Sequence, residues 1–569
     1  MIEQKKQRWL NAPQVSEEDK ATILRYSEKE LNDAFFKDIE FGTAGMRGIM
    51  GPGTNRINAF TIRKVAYAFA LYLKATFKDS LSRGVVIGHD NRLLAKEFTL
   101  LTATILTKQG IRAYVFPELV PTPLLSFAVR HLQAIGGVML TASHNPKEHN
   151  GFKVYDENGC QLIPQKIEQV IHILTTLPDP LEVDVPSIEP KGLVQTISSE
   201  VEEKYLREIQ RLRLHPELDT TKIKLVYSPQ HGTGYRLVPT LFNQSGFQPL
   251  ITVDEQMTVD PNFSHTDSPN PEDARAYTLP LQYAKKHHAD LIMISDPDAD
   301  RVGLAYLDSK GEYQHLNGNL SGALLANYLF SQMRELGKMP INPIMYDTIV
   351  CSSFARQIAS SYDVHVESFL TGFKFIGDRI QFYEQHAGPT FVFGYEESYG
   401  CLVGSFVRDK DALQALLLYA EMTLFYLSNG KRLDQVIDEL FTKFGYHEDV
   451  QFSVALQGED GQTFLTQLMQ SIRSKPFQPI GHRKVLQFED YFYQQIKKDD
   501  HHISSIHLPK ANVLKIIYDD GSTIVIRPSG TEPKCKFYIS TVEKSKTNIA
   551  LKIQNLKEEF YAFYGINDR

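Results

Sequence analysis

Apolar and polar positions change period repeatedly along this chain. From Thr61 to Phe77, Ile62, Val65, Phe69 and Leu73 recur three and four residues apart, the spacing of one buried helix face. A helical pattern also runs from about Glu17 to Phe36, and again through TLLTATILTKQG. Short apolar runs lie among these segments: GVVIGHD from Gly84 to Asp90, IRAYVF, and AIGGVML leading into TASHNP. Helices alternating with short apolar strands predict βαβ units and a largely parallel sheet. FKVY and CQLI flank Asp156-Glu157-Asn158-Gly159, and Asn-Gly between two extended runs predicts a hairpin.

The same unit recurs further on. KIKLVYS leads into PQHGTG, ADLIMIS into DPDADR, and TFVFG into YEES, with PIMYDTIV as a comparable strand. KIIY, an Asp519-Asp520-Gly521 turn and TIVI predict a hairpin that runs into RPSGTEPK. Four times, then, an apolar strand delivers a polar loop: at Ser143, Asp296, Glu396 and Arg527. That spacing predicts one loop per domain. Ligands of parallel α/β sheets sit beyond the carboxyl ends of the strands, so four such loops facing one another would enclose a central active site.

Composition narrows the class. With 569 residues, 42% hydrophobic and 23% charged, the chain reads as an ordinary globular protein of several domains. MIEQKKQRWLNAPQ has no signal-peptide pattern and no stretch reaches about 18 uninterrupted apolar residues, so a soluble, cytoplasmic protein with no membrane partner is expected. The net charge of −7 argues against a nucleic-acid partner, which would need a basic face. Cys160, Cys351, Cys401 and Cys535 are scattered without CxxC spacing, as expected of reduced thiols outside any zinc site.

The loops carry the chemistry. In an extended DPDADR, Asp296, Asp298 and Asp300 would face the same way, and three like charges converging in a cleft call for a hard cation such as magnesium. A solvated Asp-rich turn is the plain alternative. An EF-hand fails, because Arg301 stands at its glycine position and Leu307 at its glutamate position. Ser143, in TASHNP, is exposed at a strand end as a nucleophile would be, although GxSxG is absent and a Ser/Asn turn before proline reads equally well. Lys153 follows ten residues later and could return to the serine with charge or a proton. RPSGTEPK joins the Arg527 guanidinium to the hydroxyls of Ser529 and Thr531 and to Gly530, the makings of a phosphate cradle or of a simple turn. Arg47 in FGTAGMRG is a second possible phosphate ligand. GYEESYG offers carboxylates for vicinal sugar hydroxyls, and TGFKFIG offers Lys374 as a cationic contact.

TASHNP, DPDADR, GYEES and RPSGTEP, in that order, closely resemble the four signature loops of the α-D-phosphohexomutase superfamily, and FGTAGMRG and TGFKFIG point to its phosphoglucomutase and phosphopentomutase branch. The resemblance covers nearly the whole chain. It implies an α/β fold of four domains around a central cleft: three related α/β domains with mixed, mainly parallel sheets, then a C-terminal TBP-like α+β domain. Their expected spans are 1–205, 206–318, 319–445 and 446–569. It further implies that Ser143 is a phosphoserine, that Asp296, Asp298 and Asp300 bind Mg2+ together with Ser143, and that Thr371, Gly372, Lys374, Glu396, Ser398 and Lys410 contact a sugar phosphate. Arg527, Ser529, Gly530 and Thr531 would hold the phosphate not being transferred. Arg47, His144, Lys153 and Arg301 match supporting catalytic positions. The implied reaction interconverts glucose 1-phosphate and glucose 6-phosphate through glucose 1,6-bisphosphate, which is also the activator, in a monomer or homodimer. Ribose or mannose phosphates are alternative substrates, and a magnesium-dependent sugar phosphatase is the rival from another class.

Overall fold

A computed structural model of the protein describes residues 2–42, 45–78, 80–186, 193–455, 458–528 and 534–566. These fall into two compact units, Met1–Tyr346 with Gly372–Leu433 and Asp347–Thr371 with Asp434–Arg569.

The first unit opens with helices Ile2–Asn11, Glu17–Arg25 and Glu28–Phe35. The single pattern read from Glu17 to Phe36 is therefore two helices. The break falls at Tyr26, because Ser27 starts a new helix by a reciprocal cap: Glu30 N donates to Ser27 Oγ at 3.3 Å and Ser27 N to Glu30 Oε2 at 2.8 Å. Trp9, Ile23, Phe35 and Phe60 bury together at the base of these helices. The helix expected from Thr61 to Phe77 spans Ala59–Thr76, capped by Asn58 Oδ1, which accepts from Phe60 N and Thr61 N.

Three sheets follow in this unit. The first has seven strands in the order Phe41–Gly42, Gly45–Ile49, His149–Tyr155, Gly136–Leu140, Val85–His89, Ala113–Val115, Val194–Thr196. Its last four strands are mutually parallel, and Val85–His89 and Gly136–Leu140 are buried at every position, as strands covered on both faces must be. His149–Tyr155 and Gly45–Ile49 extend it in antiparallel fashion. The turn expected at Asp156-Glu157-Asn158-Gly159 forms, and CQLI pairs back on FKVY as a short second arm. Asp156 N donates to Cys160 O at 2.8 Å and Leu162 N to Val154 O at 3.1 Å, on either side of an antiparallel bridge between Tyr155 and Gln161, before Pro164 starts the helix Pro164–Thr176.

In the second sheet Leu291–Ser295 lies between Leu225–Ser228, parallel, and Val302–Leu307, antiparallel. DPDADR is thus the turn between two paired strands. In the third, Pro343–Thr348 pairs in parallel with Thr390–Glu396, which turns back through YEES into Gly400–Leu402.

The second unit holds a seven-stranded antiparallel sheet in the order Tyr446–Ala455, Lys534–Glu543, Thr523–Pro528, Leu514–Tyr518, Val485–Asp490, Gln495–Lys498, Ile503–Ser505. Leu468, Ile472, Leu556 and Phe560, from helices Gly458–Ser474 and Lys546–Tyr564, share its core with Ile516, Ile526 and Phe537. The hairpin expected around Asp519-Asp520-Gly521 is present.

Candidate active site

Ser143 stands just past the buried strand Gly136–Leu140, with its backbone in the left-handed region at φ 54°. A non-glycine residue there carries strain of order 1–3 kcal/mol and persists only where its surroundings enforce it. Part of the enforcement is Thr141 Oγ1, which accepts from Ser143 N at 2.8 Å. The hydroxyl itself points across to the second sheet's turn, where Ser143 Oγ donates to Asp296 Oδ2 at 2.9 Å, although 153 residues separate the two in sequence.

The Asp triad converges, but by a different route from the extended loop expected. DPDADR curls into a turn with Ala299 left-handed at φ 50°, and Asp296 Oδ1 closes it by accepting from Asp300 N and Arg301 N, both at 3.0 Å. One ligand atom from each of Asp296, Asp298 and Asp300 then lies within 4.8 Å of the others, all three residues being buried. Asp298 Oδ1 and Asp300 Oδ1 are buried with no hydrogen-bond partner among the described residues. Buried oxygens left without a hydrogen bond on convergent carboxylates fit a hard divalent cation such as magnesium.

Cations ring the triad. Lys153 Nζ lies 2.7 Å from Asp298 Oδ2 and 3.4 Å from Asp300 Oδ2, and Lys410 Nζ lies 3.2 Å from Asp300 Oδ2. Burial, followed by the charges of Asp300 and Asp298, pushes Asp296 well above the usual carboxylate range. Burial acts the same way on Asp298, but Lys153 and a hydrogen bond from Thr122 overcome it and hold that carboxyl low. Burial and then the charge of Asp298 act to raise Asp300, yet Lys410, Lys153 and Arg301 together outweigh both and lower it. His144 Nδ1 stands 3.4 Å from Ser143 Oγ, and burial, then Arg301 and Arg47, depress its imidazole so that it is neutral at pH 7. Arg47 lies on Gly45–Ile49 opposite Gly151, its Nε buried without a hydrogen-bond partner among the described residues.

Glu396, at the end of its strand, accepts from Gly372 N at 2.8 Å, which joins the YEES and TGFK loops. Lys374 is buried at the start of the helix Lys374–Gln385, and Ser398 is half-buried in the turn after Glu396. Thr371 closes the segment assigned to the second unit, and Arg527, half-buried on Thr523–Pro528, also belongs to that unit. Ser529, Gly530 and Thr531 lie outside the described residues.

Several supporting residues escaped the sequence reading. Thr122 Oγ1 donates to Asp298 Oδ2 at 2.8 Å and Thr122 N to Asp298 O at 2.9 Å, which fastens the helix Thr122–His131 to the metal-type turn. Glu272 Oε1 accepts from Arg301 Nη1 at 2.9 Å. Asp409 and Asp411 flank Lys410, and each accepts from a buried tyrosine hydroxyl at 2.9 Å, Tyr155 and Tyr205 respectively. Nothing local marks these residues, since each acts on a partner far away in the chain. Asp90 and Arg92 were within reach, because GVVIGHD is another apolar strand ending in a polar loop.

Family models describing phosphoglucomutase/phosphomannomutase α/β/α domains I, II and III match residues 38–179, 203–309 and 317–444, and that of the C-terminal domain matches 481–549. The chain belongs to the phosphoglucomutase/phosphomannomutase family. Its architecture is accordingly the phosphohexomutase one, three α/β domains followed by a C-terminal domain built on an antiparallel sheet. Among relatives in this family, a phosphoglucomutase of Staphylococcus aureus strain RF122 is 38% identical over 92% of this chain and 93% of its own length. Two solved structures share the family fold: the open form of Paramecium pp63/parafusin, a phosphoglucomutase (TM-score 0.68, 16% identity, 93% of this chain and 96% of that one), and a putative phosphomannomutase from Thermus thermophilus (0.67, 20%, 93% and 99%). No helix among the described residues is long and apolar enough to cross a membrane.

Proposed function

We propose that this protein is a phosphoglucomutase, interconverting glucose 1-phosphate and glucose 6-phosphate with Ser143 as the carrier of the phosphoryl group. The observation that carries this reading is the contact of Ser143 Oγ with Asp296 at 2.9 Å, inside a buried triad of carboxylates. Identity of 38% to a phosphoglucomutase over 92% of the chain supports the choice of reaction.

Asp296, Asp298 and Asp300, with Ser143, would hold Mg2+, which when bound offsets charge on the transferring phosphoryl group. The rest follows from the chain's own groups. The free hydroxyl of glucose 1-phosphate attacks phosphorus on Ser143, the P–Oγ bond breaks, and a 1,6-bisphosphate forms while the serine oxygen recovers a proton. Neutral His144, 3.4 Å from Ser143 Oγ, is placed to pass that proton, and Arg47, Lys153 and Arg301 supply positive charge where negative charge develops. After the bisphosphate turns over, its other phosphoryl group returns to Ser143. Both orientations must bind, so Glu396 and Ser398 would serve sugar hydroxyls in either pose, while Lys374 and Lys410 would offer cations to the ester, and the Arg527 guanidinium with the hydroxyls of Ser529 and Thr531 and the backbone of Gly530 would hold the phosphate not being transferred.

The test is conversion of glucose 1-phosphate with Mg2+ and a trace of glucose 1,6-bisphosphate, beside ribose 1-phosphate, mannose 1-phosphate and Ser143→Ala. Glucose turnover abolished by Ser143→Ala is expected. Faster turnover of ribose or mannose phosphate would replace the substrate, and continuous release of inorganic phosphate would make the protein a phosphatase.

A further inference from the structure

Behind the Ser143 loop lies an arginine that the reaction as described does not use. The Arg92 side chain has no exposed surface, and its two terminal nitrogens serve four main-chain carbonyls, three in that loop and one at the start of the strand after it. Nη2 donates to Ser143 O and Asn145 O, both at 2.6 Å, and Nη1 to Pro146 O and His149 O, both at 2.8 Å. Its Nε faces Asp90 Oδ2 at 3.2 Å, and Asp90 Oδ1 accepts from Arg92 N at 3.0 Å. Asp90 Oδ2 also accepts from Thr141 Oγ1 at 2.6 Å, and Thr141 Oγ1 accepts from Ser143 N at 2.8 Å. The guanidinium face is covered by the Phe263 ring, 5.5 Å away. Ser143, at φ 54°, is therefore gripped at both its amide and its carbonyl by one connected set of side chains.

The choice of residue is chemical. A guanidinium has five donors in a rigid planar fork and can meet four carbonyls and a carboxylate together, whereas an ammonium directs three donors from one point. Three of the four carbonyls belong to the loop that presents the serine and the fourth, His149 O, opens the strand that follows it, and none belongs to a group that would contact sugar.

We propose that Arg92, with Asp90 and Thr141, forms a positioning unit that holds Ser143 Oγ in line for phosphoryl transfer and so sets the rate of transfer without contributing to sugar-phosphate binding. This rests on Ser143 being the phosphoryl carrier.

The full-length protein is charged from glucose 1,6-bisphosphate, the phosphate is located by mass spectrometry, and a single turnover onto glucose 1-phosphate is timed by rapid quench. A single-turnover rate constant does not depend on the fraction of chains that fold, so a merely structural defect lowers the amplitude alone. Arg92→Lys is expected to slow transfer about 100-fold, the scale of an ångström's misplacement, with KM within about threefold of the parent. Thr141→Val, which keeps the shape and removes the hydroxyl, is expected to slow it roughly tenfold, and Thr141→Ser to recover most of that loss. Where Arg92→Lys does not fold, the Thr141 pair decides. Transfer rates at the parental value in the variants, or a raised KM with transfer unchanged, would overturn the proposal. Phosphate found on a residue other than Ser143 in the parent protein would remove the carrier reading and this proposal with it, a failure told apart by the position of the label.

Discussion

Lys153 Nζ and Asp298 Oδ2 meet at 2.7 Å in the buried interior, 145 residues apart in the chain. Each holds the other's charge where water cannot. Lys153→Met should lower stability by roughly 3 kcal/mol, because the carboxylate stays buried with one cation fewer. Lys153→Met combined with Asp298→Asn should regain most of that stability in urea titrations but none of the mutase activity. Additive losses in the double variant would show that the pair is not coupled.

The metal-type turn leans on a glycine. A Cβ added to Gly232 would lie 2.4 Å from both Pro297 Cα and Pro297 O, and Thr233 N donates to Pro297 O at 2.8 Å beside it. Gly232→Ala must push DPDADR out of place. Saturating Mg2+ should raise the melting temperature of the parent, since an ion bound only to the folded form stabilises it. That rise should shrink in Gly232→Ala and vanish in Asp298→Asn, as read by calorimetry with and without EDTA.

Glu272 is the acidic partner that fixes Arg301, at 2.9 Å. Burial alone would lower the Arg301 guanidinium, and Glu272, followed by Asp300 and Asp296, raises it instead. Glu272→Gln keeps a hydrogen-bond acceptor and removes the charge, so kcat/KM should fall roughly tenfold with little change in melting temperature. An unchanged kcat/KM would separate Arg301 from the reaction.

In the second unit, His447 stacks on Phe354 with ring centroids 4.7 Å apart, and burial pushes its imidazole down to about 4. An unfolded histidine titrates near 6.5, so between these values the unfolded chain binds the extra proton and stability must fall as pH falls. The contribution is complete above pH 6.5 and is lost on the way down to pH 4. Denaturation of this unit should cost roughly 2 kcal/mol less at pH 5 than at pH 7, and His447→Gln should flatten that part of the slope.

The parts of the site legible in the sequence were those that a strand end and the next few residues carry by themselves. Ser143 and Asp296 follow buried strands and Glu396 ends one, and the parity of DPDADR marked its three carboxylates, although a left-handed Ala299 and not an extended chain gathers them. Thr122 and Glu272 were invisible for the opposite reason, since each acts on a partner distant in sequence, whereas Arg92 follows an apolar strand but serves main-chain carbonyls that have no sequence signature. Hydrophobic period alone joined two helices that the Ser27 cap separates, whereas Asn-Gly marked a hairpin that forms, its second arm cut short by the helix that Pro164 starts.

Trp9 is the single tryptophan of the chain, 1% exposed, with the rings of Phe35 and Phe60 edge-on to it at 5.9 and 5.4 Å. Its emission is thus a private optical channel onto the docking of the first three helices. Those helices brace Gly53 and Asn55 through Ala34, in the segment that follows Arg47. A red shift arriving at lower urea than the loss of far-ultraviolet dichroism would show the amino-terminal helices undocking from an otherwise folded enzyme, without any label having been added.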